Sequence, residues 1–315
     1  MAAALSLLAG CGIGFGAGEQ DGRADLAITR DYGLEVMLDE SVGPLSESST
    51  AMRLLDQSAD IETSYGGGFV DSIDSISSSS GVRSYDWFYF VNGIAAERGA
   101  AEFVVEPGDR MWWDHRDWTD AMDINAVVGA FPAPMKGGYD GTQWPVSVEC
   151  FSVESACDKV SERLGDAGVK VDSGSVAVKT GPLSTGGSRA SAADEGTLRV
   201  LVGRWSEVGE DEEAARLNRG PSVSGVFAGF TGGGDQTRLI GLDEKADPTT
   251  DFGLHSGLIA AMRRGEGPPV WLVTGTDESG VDLAADSLGA AQMQNRYAAA
   301  VSTGGVYSLP VVAGE

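Results

Sequence analysis

The chain has 315 residues, which is enough for two domains that each bury a core. Its formal net charge of −25 argues against nucleic-acid partners, because phosphate binding needs clustered Lys and Arg. The same charge argues against electrostatic docking on anionic lipid and favours a solvated, repulsive surface over a specific cationic partner.

The N-terminus is a short apolar segment that ends in Leu8-Ala9-Gly10-Cys11. This tetrapeptide matches the pattern L-[AS]-[GA]-C and resembles the cleavage and lipidation site of bacterial lipoproteins. The resemblance implies that residues 1–11 are a signal, that Cys11 carries the lipid, and that the Gly-rich residues 12–24 form a tether. A chance match is the alternative. The apolar run is short and lacks a basic segment, so we expect translation to start further upstream.

Two short strands and one helix are the first predicted elements. Residues 26–29 and 35–40 are predicted as paired strands. Ser48-Ser49-Thr50 supplies an N-cap for a helix. The apolar positions of that helix are Ala51, Met52, Leu54, Leu55 and Ala59. Three glycines at 66–68 then precede Phe69, and because no Lys follows, a turn that enters a strand is favoured over a phosphate-binding loop.

Residues 84–118 are the most informative stretch, because four of the seven tryptophans lie in it. In an extended strand, Trp87 and Tyr89 face one side, while Phe88 and Phe90 face the other. The sequence therefore predicts a strand with large rings on both faces.

The turns of this stretch are equally distinctive. Asn92-Gly93 predicts a type I′ hairpin, because both central residues of that turn need positive φ. Residues 103–105 are predicted as another strand, 107–109 (Pro-Gly-Asp) as a tight turn, and 110–116 as a third strand. Together these elements predict an aromatic antiparallel sheet.

One helix across a small mixed sheet is a β-grasp arrangement. The helix, G-G-G-F-V-D-S-I, D-W-F-Y-F-V-N-G and P-G-D-R-M-W-W occur in that order. As a set they resemble the β-grasp domain that closes the C-terminus of transcobalamin and intrinsic factor, over residues 25–131. In those carriers the domain covers one face of cobalamin, and a large α-helical domain without a counterpart here holds the other face. The resemblance implies a ligand-binding domain.

The run W-W-D-H-R-D-W at 112–118 is the sharpest local feature. If the strand continues, Trp112, Asp114 and Arg116 share one face, and Trp113, His115 and Asp117 share the other. We expect one face to pack under the helix and the other to meet solvent or a ligand. The candidate ligand-binding residues are Trp87, Tyr89, Asn92, Trp112, Trp113, His115, Asp117 and Trp118. The alternative is a core tryptophan with Arg–Asp pairs at a sheet edge.

The second half is predicted as an α/β sandwich with a mixed sheet, spanning residues 146–315, after a Pro- and Gly-rich linker at 132–145. The predicted strands include 146–151, 197–202 and 269–274, and the predicted helices are 154–167, 207–219, 254–264, 281–288 and 293–301. Residues 274–285 weakly resemble the strand–loop–helix units of bacterial cell-wall-binding modules. The loop 275–277 is a candidate site for a polar ligand, although a plain helix cap explains it equally well.

Cys150 and Cys157 remain when the lipobox cysteine is set aside, and an even number favours a disulfide in an exported protein. Two buried free thiols are the alternative. A zinc site is disfavoured, because the chain has no further cysteine and only two histidines.

These observations predict an α+β protein and leave two functional hypotheses. The first is a non-enzymatic lipoprotein, anchored outside the cytoplasmic membrane, that captures a cobalamin-like tetrapyrrole or a glycan near a transporter. The second is a structural or protein-interaction module of the cell envelope. A hydrolase that uses Asp114 and Asp117 is less favoured, because no nucleophile is marked nearby, and we expect neither a metal nor a cofactor.

Overall fold

The computed structural model describes residues 22–65, 67–151, 153–171, 177–178 (backbone only) and 196–312. The fold class is α+β with mixed sheets, as predicted. The predicted signal, Cys11, most of the predicted tether and nearly all of the Gly/Ser-rich stretch at 181–196 lie outside the described residues. Among those that are described, no helix combines the length and apolarity needed to cross a membrane.

The first half contains one helix and eight strands within the described residues. They are β1 (Ala24–Arg30), β2 (Glu35–Val42), α1 (Ala51–Ser58), β3 (Ile61–Ser64), β4 (Phe69–Ile73), β5 (Ile76–Ser77), β6 (Tyr85–Val91), β7 (Ile94–Ala95) and β8 (Arg110–Asp117). Five of these strands form a sheet in the order β2-β1-β8-β6-β7. β1 and β8 are parallel, and the other pairs are antiparallel.

Helix α1 lies across one face of this sheet. The Thr50 hydroxyl accepts a hydrogen bond from the Arg53 N–H at 3.3 Å, which caps the helix as predicted. Its apolar stripe, including Leu54 and Leu55, is buried against Leu26 and neighbouring strand residues. This is the β-grasp arrangement that the element order predicts.

The Asn92-Gly93 turn has the predicted hairpin geometry. Both residues have positive φ, +53° and +79°, and they join β6 to β7. The predicted strand at 103–105 is wrong, because only Val104 forms a bridge, with Thr50. Phe103 instead points into the core beneath α1, where it is fully buried.

The second half is built around a larger sheet. Its elements are α2 (Ala133–Lys136), β9 (Val146–Phe151), α3 (Glu154–Asp166), β10 (Ala177–Val178), β11 (Leu198–Arg204), α4 (Trp205–Val208), a 3₁₀ helix (Ala214–Arg219), α5 (Pro221–Ser224), β12 (Ala228–Thr231), a 3₁₀ turn (Gly234–Gln236), β13 (Arg238–Leu242), β14 (Pro248–Gly253), β15 (Gly257–Met262), β16 (Val270–Gly275), α6 (Glu278–Ser287), α7 (Ala290–Met293), β17 (Ala298–Ser302) and β18 (Gly305–Leu309). Seven strands form the order β10-β9-β11-β16-β15-β17-β18. The first four are parallel and the last three add antiparallel pairs.

Three predicted helices of this half are wrong. Residues 254–264 contain β15, and residues 293–301 contain most of β17. Residues 207–219 hold only the end of α4 and a 3₁₀ helix. β15 and β17 are buried on both faces, so they have no polar alternation, and a short apolar run of that kind does not distinguish a strand from a helix.

The predicted linker at 132–145 connects the two sheets but is itself packed. It begins with α2, and Met135 and Tyr139 are buried. The two halves also share a core cluster, in which Trp112 and Phe90 contact Tyr297, and Tyr32 contacts Phe227. Because the halves share this cluster, the structure does not separate them at the linker, and the domain limits at residues 131 and 146 stay a prediction.

A disulfide joins Cys150, at the end of β9, to Cys157 in α3. The two Cα atoms are 5.9 Å apart and both side chains are buried. The structure thus has the predicted pairing.

Candidate functional site

Both faces of strand β8 are buried. Trp113 lies beneath α1, with its ring stacked on Tyr89 at 4.7 Å between centroids. Trp112 faces the second half, where it contacts Tyr297, and its indole N–H donates to the Thr29 hydroxyl at 2.7 Å. One face of β8 packs under the helix, as expected. The expectation that the other face meets solvent or a ligand is wrong, because the second half covers the Trp112 face.

His115 is held within the first half. Its ring lies between those of Tyr85 and Trp87, at 5.8 and 5.1 Å, and its Nε2 is 3.3 Å from the Ser77 carbonyl. Burial lowers the pKa of His115, with the Ser77 contact opposing the shift. A neutral, enclosed imidazole of this kind contributes packing.

Asp117 ends β8 in a polar cluster. Its carboxylate pairs with Arg83 and accepts a hydrogen bond from the Thr119 N–H at 2.9 Å. Arg83 also pairs with Asp120 at 3.0 Å and donates to the Glu244 carbonyl at 3.3 Å. The Asp117 carboxylate is therefore occupied by the fold, at the end of a strand that lies in the middle of its sheet.

Asn92 is likewise occupied by the fold. Its amide donates to Asp109 at 2.8 Å and to the Gly138 carbonyl at 2.9 Å, and its oxygen accepts from the Arg110 N–H at 2.9 Å. It therefore ties the hairpin to the turn before β8 and to the segment after α2.

A cleft of about 420 Å³ opens beside β6, and we call it the aromatic cleft. Four of the eight predicted ligand-binding residues border it: Trp87, Tyr89, Trp113 and Trp118. The other four, Asn92, Trp112, His115 and Asp117, do not. Phe88 and Phe69 add two more rings to its lining, and Phe69 is 40% exposed.

The floor of this cleft is the open edge of β6. The Ser84 carbonyl and the Asn92 N–H both bond to backbone groups of the neighbouring strand β8 or the residue that follows it. In an antiparallel pair every second residue bonds to the partner strand, so the even-numbered residues of β6 bond to β8. The backbone groups of the odd-numbered residues point away from β8. Outward-facing Tyr85 bonds Ser79, and the Tyr89 carbonyl accepts from Ala96. Within the described part of the chain, the outward N–H and C=O of Trp87 between them have no partner.

Two buried side-chain donors on the cleft lining also lack a partner in the structure: the indole N–H of Trp113 and Nε of Arg116. Arg116 stacks over Phe88 at 3.8 Å and donates its other nitrogens to the carbonyls of Ala121 and Met122. A buried donor without an acceptor costs about 1–3 kcal/mol. Neither nitrogen is accessible to solvent, so neither is available to a molecule in the cleft.

Several cleft residues carry little sequence signal. Phe69 belongs to the Gly-Phe-Val turn of the resemblance, and it could have been proposed from that motif. Met122, Asp123 and Asn125 follow β8 in a segment without regular structure, and only the fold places them on the cleft.

Two other candidate positions are less favourable. A larger groove of about 860 Å³ lies between β2 and β18, but its polar groups bond each other, and Asp39 accepts from Arg110, Gln294 and Asn295. In the loop 275–277, the Asp277 carboxylate accepts from the Gly280 N–H at 2.9 Å, which is an ordinary helix cap. The described residues hold no group of three or more His, Cys, Asp or Glu that could bind a metal.

These features define an α+β protein with a β-grasp half that carries an aromatic cleft. Residues 48–116, from the N-cap of α1 into β8, match a family described as a domain of unknown function (DUF4430). That family is associated with transcobalamin-like domains, which agrees with the motifs of the predicted resemblance. No curated protein matches the chain.

Proposed function

We propose that this protein is a non-enzymatic binding protein that captures a small molecule in the aromatic cleft. One observation carries the proposal: aromatic rings and the open backbone edge of β6 at Trp87 border one cavity of ligand-binding size. Small-molecule sites are clefts of about 300–1,000 Å³, lined mainly by apolar and aromatic groups with a few polar ones. The cleft, at about 420 Å³, has this composition.

The rim of the cleft supports the same proposal. Phe69 and Met122 are large apolar side chains that are 40% and 59% exposed, and both border the cavity. Exposed apolar groups grouped around a concavity are typical of binding sites, whereas isolated ones are ordinary.

Lipidation of Cys11 is the second part of the proposal. The lipid would hold the binding protein at the outer face of a bacterial cytoplasmic membrane, near a transporter or another envelope protein. The lipobox motif supports this part of the proposal. The Cys150–Cys157 disulfide supports it as well, because disulfides persist mainly in proteins outside the cytoplasm. Mass spectrometry of the native protein tests this point, and an unmodified residue upstream of Cys11 in the mature chain would contradict it.

An envelope structural or protein-interaction module is the second candidate. The observation in its favour is that β8, with Trp112 and Trp113, is buried on both faces and works as packing. In that case the aromatic cleft binds no small molecule.

Ligand titration separates the two candidates. Tryptophan fluorescence of the full chain would be followed during addition of cobalamin, cobinamide, haem, glucose and N-acetylglucosamine, because Trp87 and Trp118 border the cleft. We expect saturable quenching by one probe class that weakens in Phe69→Ala. Val36→Ala is the control, because Val36 is 53% exposed and borders the other groove. Any loss of fluorescence caused only by light absorption of the probe should be the same in this variant as in the natural protein. Absence of saturation with every probe favours the envelope module.

A further inference from the structure

We infer that the ligand of the aromatic cleft is a neutral carbohydrate, one or two sugar rings in length. This inference rests on the proposed binding function and names the ligand class. It follows from the width of the open strand edge, from the unpaired donors and acceptor, and from the charge of the lining.

The open edge of β6 is too short for a peptide. An added strand needs several successive outward-facing residues, because it bonds every second residue of the edge. Ser79 occupies the edge at Tyr85 and Ala96 occupies the Tyr89 carbonyl. Within the described residues, only the N–H and C=O of Trp87 and the neighbouring Tyr89 N–H are open. The ligand must therefore be compact and reach the edge at one point.

The unpaired backbone groups on the open edge of β6 favour a ligand that both accepts and donates hydrogen bonds. Within the described residues, the outward backbone N–H groups of Trp87 and Tyr89 lack acceptors. The Trp87 carbonyl lacks a donor in the same place. A hydroxyl group can accept from these N–H groups and donate to the carbonyl, whereas the ionised carboxylates of haem can only accept.

The charge of the lining favours a neutral molecule. Asp86 and Asp123 border the cleft together with Arg116, so two negative groups stand against one positive group. An anionic ligand would meet this net negative lining and the strongly acidic chain around it. A neutral sugar can instead donate its hydroxyls to the two carboxylates.

The rings complete the match. Phe88, Tyr89 and Trp118 are half-buried on the cleft, so part of each ring faces it. A pyranose has an apolar C–H face that packs against such rings and a hydroxyl edge for the polar groups. The cleft volume of about 420 Å³ suits one or two sugar rings, and it is too small to enclose a complete cobalamin.

The test uses the full chain on an array of immobilised mono- and oligosaccharides, followed by calorimetry with the strongest binder and with cobinamide and haem. Phe69→Ala and Asp123→Ala alter two exposed cleft residues. Val36→Ala and Asp56→Ala are their matched controls, since both replaced side chains are exposed and outside the cleft. We expect a neutral saccharide to bind and each cleft variant to raise its Kd about five- to tenfold, with unchanged Kd in the controls.

The outcomes distinguish the two proposals. Binding of cobinamide or haem that is sensitive to Phe69→Ala, without saccharide binding, would leave the binding function standing and overturn the carbohydrate. Saccharide binding that the two cleft variants leave intact would place the sugar elsewhere and overturn the inference. Absence of binding by every probe class would overturn both.

Discussion

The hydroxyl of Tyr297 donates a hydrogen bond to the carboxylate of Asp114 at 2.9 Å, although the two residues are 183 positions apart. Asp114 lies in β8 of the first sheet, and Tyr297 directly precedes β17 of the second. The same carboxylate accepts from the Thr29 hydroxyl and from the backbone N–H groups of Tyr32 and Gly33. Burial raises the pKa of Asp114, and these donors oppose the shift. The network fixes the two sheets against each other through one fully buried group.

Tyr297→Phe should destabilise the protein by about 1–3 kcal/mol, because the variant leaves a buried carboxylate with one donor fewer. Urea unfolding followed by tryptophan fluorescence measures the change. Tyr307→Phe is the control, since Tyr307 is only half-buried and removal of its hydroxyl should cost little. Equal losses in both variants would show that the Asp114 contact is unimportant.

The sequence predicted the local geometry of this region well. Strict alternation placed Trp112, Asp114 and Arg116 on one face of β8, and the Asn92-Gly93 turn fixed the hairpin. The group that covers the Trp112 face depends on long-range packing. The contact with Tyr297 could not be predicted, because Tyr297 lies 183 positions from Asp114 in the chain. The cleft residues Met122 and Asp123 were missed for the same reason, because their position depends on how an irregular segment returns past β6.

Gly33→Ala should destabilise the protein more than Gly141→Ala, by about 1–3 kcal/mol. Both glycines have positive φ, +84° and +73°, so both variants carry similar backbone strain. A Cβ at Gly33 would collide with the Asn295 carbonyl and the Trp112 ring, whereas a Cβ at Gly141 meets nothing within 4 Å. Urea unfolding of the two variants separates steric collision from strain, and equal stability would refute close packing at this joint.

Replacement of Cys150 and Cys157 by Ala should lower the free energy of unfolding by about 2 kcal/mol, because the disulfide closes a short loop of 7 positions. A reductant should lower the urea midpoint of the natural protein and leave that of the double variant unchanged. Alkylation of denatured, unreduced, exported protein should leave both cysteines unlabelled. Labelling of both positions would identify them as free thiols.

Asp117 should make the stability of the protein depend on pH in the acidic range. Burial alone would raise the pKa of Asp117, but hydrogen bonds from Thr119 and Arg83 and the charge of Arg83 lower it. A carboxyl whose pKa is lower in the folded state stabilises the fold above its unfolded pKa of about 3.9, and that contribution is lost as the pH falls through the lowered value.

Asp117→Asn should therefore be less stable than the natural protein at pH 6, and the difference should shrink below about pH 4. Urea midpoints between pH 6 and pH 2.5 measure this difference. Asp56→Asn, on the exposed side of α1, is the control and should follow the natural protein at every pH. A gap between Asp117→Asn and the natural protein that stays constant across the range would show that the Asp117 charge contributes nothing and that only its hydrogen bonds matter.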